Sequence, residues 1–161
     1  MSTLVRIAKD TEKELIHRLD QFYLYEFSRF YPATYKVADD GLFHDGDYLE
    51  FWEHPNKYPY LIFHDSEIAG FALVDDLGTH FLMDQFFVML KFQGTGVAKA
   101  AAFDIFDKHR GNWLVESLIL NLKSESFWPR IIGIYTSGKF NQAIQEPRKI
   151  LHEYSFNSIA E

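Results

Sequence analysis

The spacing of hydrophobic residues changes along the chain and divides it into elements. After a short apolar run, "LVRIA", apolar residues return at Leu15, Leu19, Phe22, Tyr23, Phe27 and Phe30, the three-and-four spacing of one helix face. Asp10 or Thr11 can cap that helix, and Pro32 ends it. The stretch "ATYKVADDGLFHDGDYLEFWEHPNKYP" has no period and mixes Asp, Gly, Pro and aromatics, which predicts an irregular crossing with one short helix. From Tyr60 the pattern is that of strands: "YLIFHD", a turn at Ser66 and Glu67, "IAGFALVDD", a turn near Gly78, then "HFLMDQFFVML". The third run is apolar on both parities, with Phe81, Met83, Phe87 and Met89 on one and Leu82, Phe86, Val88 and Leu90 on the other. Such a run predicts a buried central strand, interrupted only by Asp84 and Gln85.

A helix over 95–109, a strand "WLVESLIL", a helix over 123–132 with Pro129 inside or ending it, and a strand over 133–136 complete the pattern. Strand, helix, strand predicts a parallel crossover joined to the antiparallel meander. The class is therefore α+β, with a mixed, mostly antiparallel central sheet flanked by helices. No repeat or low-complexity segment divides the chain, so one domain over residues 1–161 is expected.

Composition narrows the chemistry. With 16 Phe, 9 Tyr and 3 Trp the chain can build a real core. The lack of cysteine removes disulfides, a thiol nucleophile and Cys-based zinc sites, and no metal is expected. A net charge of −7 with scattered Lys and Arg argues against a nucleic-acid partner. Neither a signal-peptide block nor a membrane-spanning run is visible, which leads to the expectation of a cytoplasmic protein with no membrane partner.

The stretch "QGTGVA" joins the third strand to the following helix. The first turn of a helix leaves N–H groups without intrahelical partners, and those groups attract an anion. Gly94 and Gly96 can take up positive φ and let a phosphate approach the backbone. A lone GxG more often serves only the turn, so context must decide. A dinucleotide fingerprint fails because its third glycine would fall at Lys99, and GxxxxGK followed by Ser or Thr is absent.

Gln93, Gly96 and Ala98, with Gly94 between, satisfy a motif of Gln or Arg, two residues, Gly, one residue, and Gly or Ala. On these residues the sequence resembles the GNAT superfamily of acetyl-CoA-dependent N-acetyltransferases. "FLMDQFFVMLKFQGTG" looks like the family's fourth strand and its turn, and "NLKSESFW" looks like a later family element with Asn121, Ser124, Phe127 and Trp128. "LYEFSRF", "YLIFHDSEIAGFALVD" and "FWPRIIGIYTSGKF" extend the likeness over most of the chain, toward one bacterial branch of the family. The resemblance implies that Gln93, Gly94, Thr95, Gly96, Val97 and Ala98 cradle the coenzyme A pyrophosphate. It further implies that the backbone at Phe86, Phe87 and Val88 pairs with the pantetheine arm, and that Asn121, Ser124 and Trp128 border the same cofactor.

Acetyl transfer to an amine needs a base for the amine, a donor to the thioester oxygen and stabilisation of the thiolate. Asp84, in an apolar strand, and Glu116, in "WLVESLIL", are the candidate bases; a structural carboxylate at a strand end is the bland alternative for each. His44, His64 and His80 can also titrate near neutrality, though lone histidines more often serve packing or surface roles. Trp128 stands where many relatives carry a tyrosine acid, and its indole N–H is no practical acid. Tyr135 is one alternative donor; a non-catalytic acyl-CoA-binding or sensing module is the alternative function.

The acceptor, a small-molecule or peptide amine, is expected against the first helix and the loop after it. Phe22 and Phe30, at helical spacing, are read as core there. Tyr31, Tyr35, Phe43, Tyr48, Phe51 and Trp52 are read as the pocket, with Glu26, Asp39, Asp40, Asp45 and Asp47 near it. The abundance of aromatics also leaves room for a homodimer.

Overall fold

The computed structural model describes residues 2–44 and 48–159, so Asp45 and Asp47 of the expected acceptor region lie outside the described residues. Strand β1 (Thr3–Ile7) leads through a 3-10 turn at Asp10–Glu12 into helix α1 (Lys13–Phe27). The bidentate Arg6–Glu12 pair, at 2.8 Å through both guanidinium nitrogens, fastens this junction. The helix stops at Phe27 and continues as turns, short of Pro32. A one-turn helix α2 (Glu50–Glu53) follows the irregular crossing.

The meander is β2 (Lys57–His64), β3 (Glu67–Asp76) and β4 (Phe81–Val88). Asp65 and Ser66, both at positive φ (47° and 71°), form the two-residue hairpin loop whose twist suits flanking strands. Helix α3 (Val97–Lys108) then crosses over to β5 (Asn112–Leu118), which pairs parallel with β4. Helix α4 (Leu122–Tyr135) and two further strands, β6 (Asn141–Ile144) and β7 (Leu151–Asn157), end the chain. The seven strands lie in the order β1-β2-β3-β4-β5-β7-β6, and β4–β5 is the one parallel pair among them.

Two expectations are corrected here. Residues 133–135 are the last turn of α4 and not a strand, because Ile131 and Ile132 are fully buried and Tyr135 packs on Phe103 and Phe106. Packing of a helix face outweighs the strand propensity of "GIYT". The strand that completes the sheet is instead β7, which pairs with β5 along its whole length and brings Tyr154 and Phe156 into the core.

The second correction concerns the faces of β4. Leu73 pairs with Gln85 and Val74 with Met83, so Asp84 is the extra residue of a β-bulge. The bulge reverses the alternation: Met83 shares a face with Phe86 and Val88, toward α3 and α4, whereas Phe87 faces α1 with Phe71 and Leu73. Gly70 marks another close approach, since a Cβ there would lie 2.0 Å from the Phe87 carbonyl oxygen. The sheet thus has two packed faces, one covered by α3 and α4 and the other by α1 and α2.

Candidate active site

Strand β4 ends in a 3-10 turn at Leu90–Phe92, and the chain then passes through Gln93 and Gly94 to Gly96, which caps α3. Gly94 and Gly96 hold φ of 78° and 90°, the left-handed region that residues with a Cβ resist. The Gly96 carbonyl accepts the Ala100 N–H at 3.0 Å. The amides of Val97, Ala98 and Lys99 therefore precede the first intrahelical acceptor and point out of the helix start. Thr95 is turned back on the loop, its Oγ1 donating to the Phe92 carbonyl at 2.5 Å, and the Val97 side chain is core. The Thr95 N–H also donates to the Phe92 carbonyl, at 3.3 Å, so Thr95 shapes the turn, and Val97 can offer an anion only its backbone N–H. Gln93 braces the turn: Nε2 donates to the Val88 carbonyl at 3.3 Å, and Oε1 accepts from Lys123 Nζ at 3.4 Å.

A cleft of about 530 Å³ opens over this turn, lined by Gly94, Gly96 and Ala98 on one side and Phe127 and Trp128 on the other. Lys99, Lys123 and Arg130 also line it, a local positive field in a chain of net charge −7. Sequence reasoning did not single out these three cations. Lys99 carried a signal, being a basic residue in the first turn after the glycines; Lys123 and Arg130 arrive only with α4.

Beside this cleft the sheet comes apart. β4 and β5 pair only through Phe81–Met83 and Trp113–Val115, after which the strands diverge. From Asp84 to Val88 the edge of β4 that faces β5 has no strand partner among the described residues, so an extended ligand can pair with its backbone, the Val88 carbonyl excepted, which Gln93 Nε2 already holds. The gap is a cleft of about 280 Å³ lined by Asp84, Phe86, Phe87, Val88, Glu116 and Trp128, with Ser117, Asn121 and Ser124 at its walls. Phe86 stacks on Phe127 (6.2 Å) and meets Trp128 edge-on (5.1 Å), which makes an aromatic side to the channel. Asn121 caps α4, its side chain accepting the Ser124 N–H at 3.3 Å.

Asp84 and Glu116 both line this gap, one from each of the parted strands. Asp84 is open to water at the cleft, but protein crowds it elsewhere; desolvation raises its pKa, with Lys57 opposing and Asp75 and Glu50 adding to the rise. Burial also raises Glu116, helped by the charges of Glu153 and Asp84. A third carboxyl group, Asp20 on α1, was missed at the sequence level. It is 1% exposed, and burial together with the charge of Asp84 pushes its pKa up to about 7. The available signal was its place in the buried stripe Ile16, Leu19, Asp20 and Leu24.

Several expected residues are elsewhere. The Tyr135 hydroxyl donates to Asp107 Oδ1 at 2.7 Å and its ring packs in the core, away from the gap. His44 binds Asp40 (2.7 Å), His64 lies 3.5 Å from Thr3 Oγ1, and His80 pairs with Thr79; none of the three lines the gap or its neighbouring clefts. The aromatic assignment around α1 is reversed. Phe43 and Phe51 are buried, and Tyr48 and Trp52 pack on the core of the α1 face. Phe22, half exposed, and Phe30 line a separate cleft of about 460 Å³ with Tyr25, Glu26, Leu90 and Lys123. The reason is rotational: Leu19 and Leu24 already occupy the core-facing stripe of α1, which turns Phe22 outward. Tyr23, Glu26 and Phe27 reach the gap itself. Among the described residues no group of three or more His, Cys, Asp or Glu could hold a metal, and no helix is long and apolar enough to cross a membrane.

The fold recurs among solved structures. An acetyltransferase of the GNAT family from Staphylococcus aureus Mu50 is similar at a TM-score of 0.64 and 11% identity, covering 98% of this chain and 99% of that one. An acetyltransferase from Thermus thermophilus gives 0.66 and 16%, covering 98% and 97%. Spermidine N-acetyltransferase from Vibrio cholerae, in complex with CoA and spermine, gives 0.64 and 12%, covering 98% and 96%. Comparison with curated proteins returns no match. The model of the acetyltransferase (GNAT) family matches residues 18–134, most of the chain, and with the glycine turn and the parted strands in place this protein belongs to that family, as an acyltransferase that uses acetyl-CoA.

Proposed function

We propose that this acetyltransferase passes the acetyl group to a primary amine of a small molecule or peptide, by direct attack within a ternary complex in a single domain spanning residues 1–161. The observation that carries this reading is the parting of β4 from β5 directly beside the glycine turn. An anion at the amides of Val97, Ala98 and Lys99 and an extended arm along Phe86, Phe87 and Val88 would then lie in one continuous channel. Acetyl-CoA supplies an activated acyl carbon and a thiolate leaving group. The free backbone N–H groups of β4 are the donors available to the thioester oxygen.

Asp84, at the mouth of the bulge, is the base for the amine, with Glu116 opposite as the second candidate. The amine gives a proton to the carboxylate, its nitrogen bonds to the acyl carbon, and the carbon–sulfur bond breaks with the electron pair going to sulfur. Trp128 cannot protonate that sulfur; the hydroxyls of Ser117 and Ser124, which line the same gap, are the hydrogen-bond donors at hand. The neighbouring cleft offers the rings of Phe22, Tyr25 and Phe30 to the apolar body of an acceptor, with the Glu26 carboxylate set among Arg29, Lys91 and Lys123.

Calorimetric titration with acetyl-CoA, CoA and ADP tests the cofactor half of the reading. Both acetyl-CoA and CoA should bind more tightly than ADP, and Gly96→Glu should abolish binding by placing a strained, negatively charged residue at the anion site. Release of CoA thiol with a panel of primary amines tests the other half. Absence of turnover with every amine, with acetyl-CoA bound, would refute amine acetylation.

A further inference from the structure

The gap between β4 and β5 and the cleft beside α1 differ in charge. The gap is lined by three carboxylates, Glu26, Asp84 and Glu116, against the single cation Lys123. The cleft of about 460 Å³ is lined by three cations, Arg29, Lys91 and Lys123, against Glu26 alone. The two spaces adjoin, since Glu26, Phe87, Asn121 and Lys123 belong to the walls of both. A ligand that fills both therefore meets a field that runs from negative at the reacting end to positive at the far end. Such a field holds a molecule with a positive and a negative end in one direction only.

The cations of the outer cleft are not equally available. Lys91 Nζ lies 2.6 and 2.7 Å from the two carboxylate oxygens of Glu67 and is already engaged. Lys123 Nζ donates to Gln93 Oε1 at 3.4 Å and also lines the cleft over the glycine turn, where the anion of the cofactor is read. Arg29 is different. It stands exposed in the turns that follow α1, and its guanidinium has neither a hydrogen bond nor an ion pair among the described residues. Glu26 lies one turn earlier, its carbonyl accepting the Arg29 N–H at 3.4 Å, yet the two side chains form no ion pair with each other. Arg29 lines neither the gap nor the cleft over the glycine turn, which sets it against an acceptor and apart from the cofactor. A planar fork of N–H donors without a carboxylate of its own matches a carboxylate brought by a ligand. Between the two charged ends the walls are the rings of Phe22, Tyr25 and Phe30.

We infer that the acceptor is a primary amine whose apolar body ends in a carboxylate, with the amine entering the gap and the carboxylate held by Arg29. The inference rests on the reading of this protein as an amine acetyltransferase and names the class of acceptor for that same site. The transfer is unchanged: the amine nitrogen bonds to the acyl carbon, the carbon–sulfur bond breaks with its electron pair on sulfur, and the proton from nitrogen goes to Asp84. Arg29 takes no part in those steps; it fixes the far end of the acceptor and so aims the nitrogen. The reverse orientation sets the carboxylate among Glu26, Asp84 and Glu116, where like charge repels it. A diamine or polyamine is disfavoured as well, because its second ammonium group would face Arg29.

Matched pairs that differ by one carboxylate test this inference: ω-aminohexanoate against hexylamine, and para-(aminomethyl)benzoate against benzylamine. Each is titrated calorimetrically into the full chain saturated with CoA, which fills the cofactor site without permitting transfer, and is then assayed for CoA release from acetyl-CoA. The carboxylate-bearing member should bind about tenfold more tightly and show a KM lower by a similar factor. In Arg29→Gln that preference should shrink to about twofold or less, and in Arg29→Glu it should invert. Arg29 is exposed, so neither change disturbs the core. CoA should bind Arg29→Gln as tightly as it binds the wild type; a parallel loss would assign Arg29 to the cofactor and overturn the inference. Equal affinity within each pair, absence of binding by every member while some other amine is acetylated, or a preference that survives in Arg29→Gln would overturn it too. In those cases amine acetylation stands and the acceptor class alone falls. If CoA binds and no amine of a broad panel is acetylated, amine acetylation itself fails and the inference falls with it.

Discussion

The two faces of the sheet are built on different terms. Under α3 and α4 the core is large and aromatic: Trp113, Phe106 and Phe156 pack together, with Trp113 and Phe106 at 4.9 Å. Its buried polar groups have partners. The Tyr60 hydroxyl and His109 Nε2 share a 2.7 Å hydrogen bond, Trp113 Nε1 donates to the His109 carbonyl, and Ser117 meets Tyr154. Under α1 and α2 the cluster is smaller, and Asp20, Asp75 and Trp52 carry buried polar atoms without partners among the described residues. His152 Nδ1, on β7, is the exception on the first side. The comparison teaches where the cost of burial has been placed: one face is satisfied but for His152 and holds the fold, whereas the other tolerates several unpaired buried polar groups.

If that division is correct, the largest effect belongs to the satisfied face. Phe106→Ala should cost about 3–5 kcal/mol in denaturant unfolding, because the ring is fully buried among Trp113, Tyr135 and Phe156 and its neighbours cannot collapse into the space. A loss below about 1 kcal/mol would mean that this core is loosely packed.

The next effect should have the opposite sign. The folded pKa of Asp20 is raised to about 7, above the usual carboxylate value, so folding takes up a proton between those limits. The stability associated with that proton is full at low pH and is lost as pH rises toward and through 7. Asp20→Asn should therefore be more stable than the wild type at pH 8, on the order of 2 kcal/mol, and show no advantage near pH 4. A destabilised variant at pH 8 would break the comparison.

The smallest effect returns to the satisfied face. Tyr60→Phe leaves His109 Nε2 without its partner and should cost about 1–2 kcal/mol, read as a lowered unfolding midpoint at pH 7. Equal stability of this variant and the wild type would show that His109 is satisfied in some other way.

Much of this is legible in the residues. The glycine turn can be read because its signal is local: positive φ and exposed first-turn amides are properties of a few consecutive backbone units. The meander and the crossover follow from period alone. The faces of β4 escape such a reading because one extra residue, Asp84, reverses alternation, and a bulge is decided by what the neighbouring strand offers. The aromatics of α1 and of the crossing exchange roles for a similar reason. Helical spacing identifies a stripe but not its width, so it does not tell that Leu19 and Leu24 fill the core while Phe22 stands outside.

By itself, then, the order of residues determined the element types from β1 to the start of α4, the family-like turn at Gln93–Ala98, the absence of thiol chemistry and the position of a carboxylate in an apolar strand, but not the end of α4 or the strands β6 and β7. Only the tertiary structure decided that β4 and β5 part after Met83, that Lys99, Lys123 and Arg130 gather at one cleft, and that Asp20 lies buried within reach of the charge of Asp84. The physical reason is range. Backbone conformation and periodicity are set by neighbours in the chain, whereas desolvation, charge coupling and strand separation depend on groups far apart in sequence that meet only when the sheet is assembled.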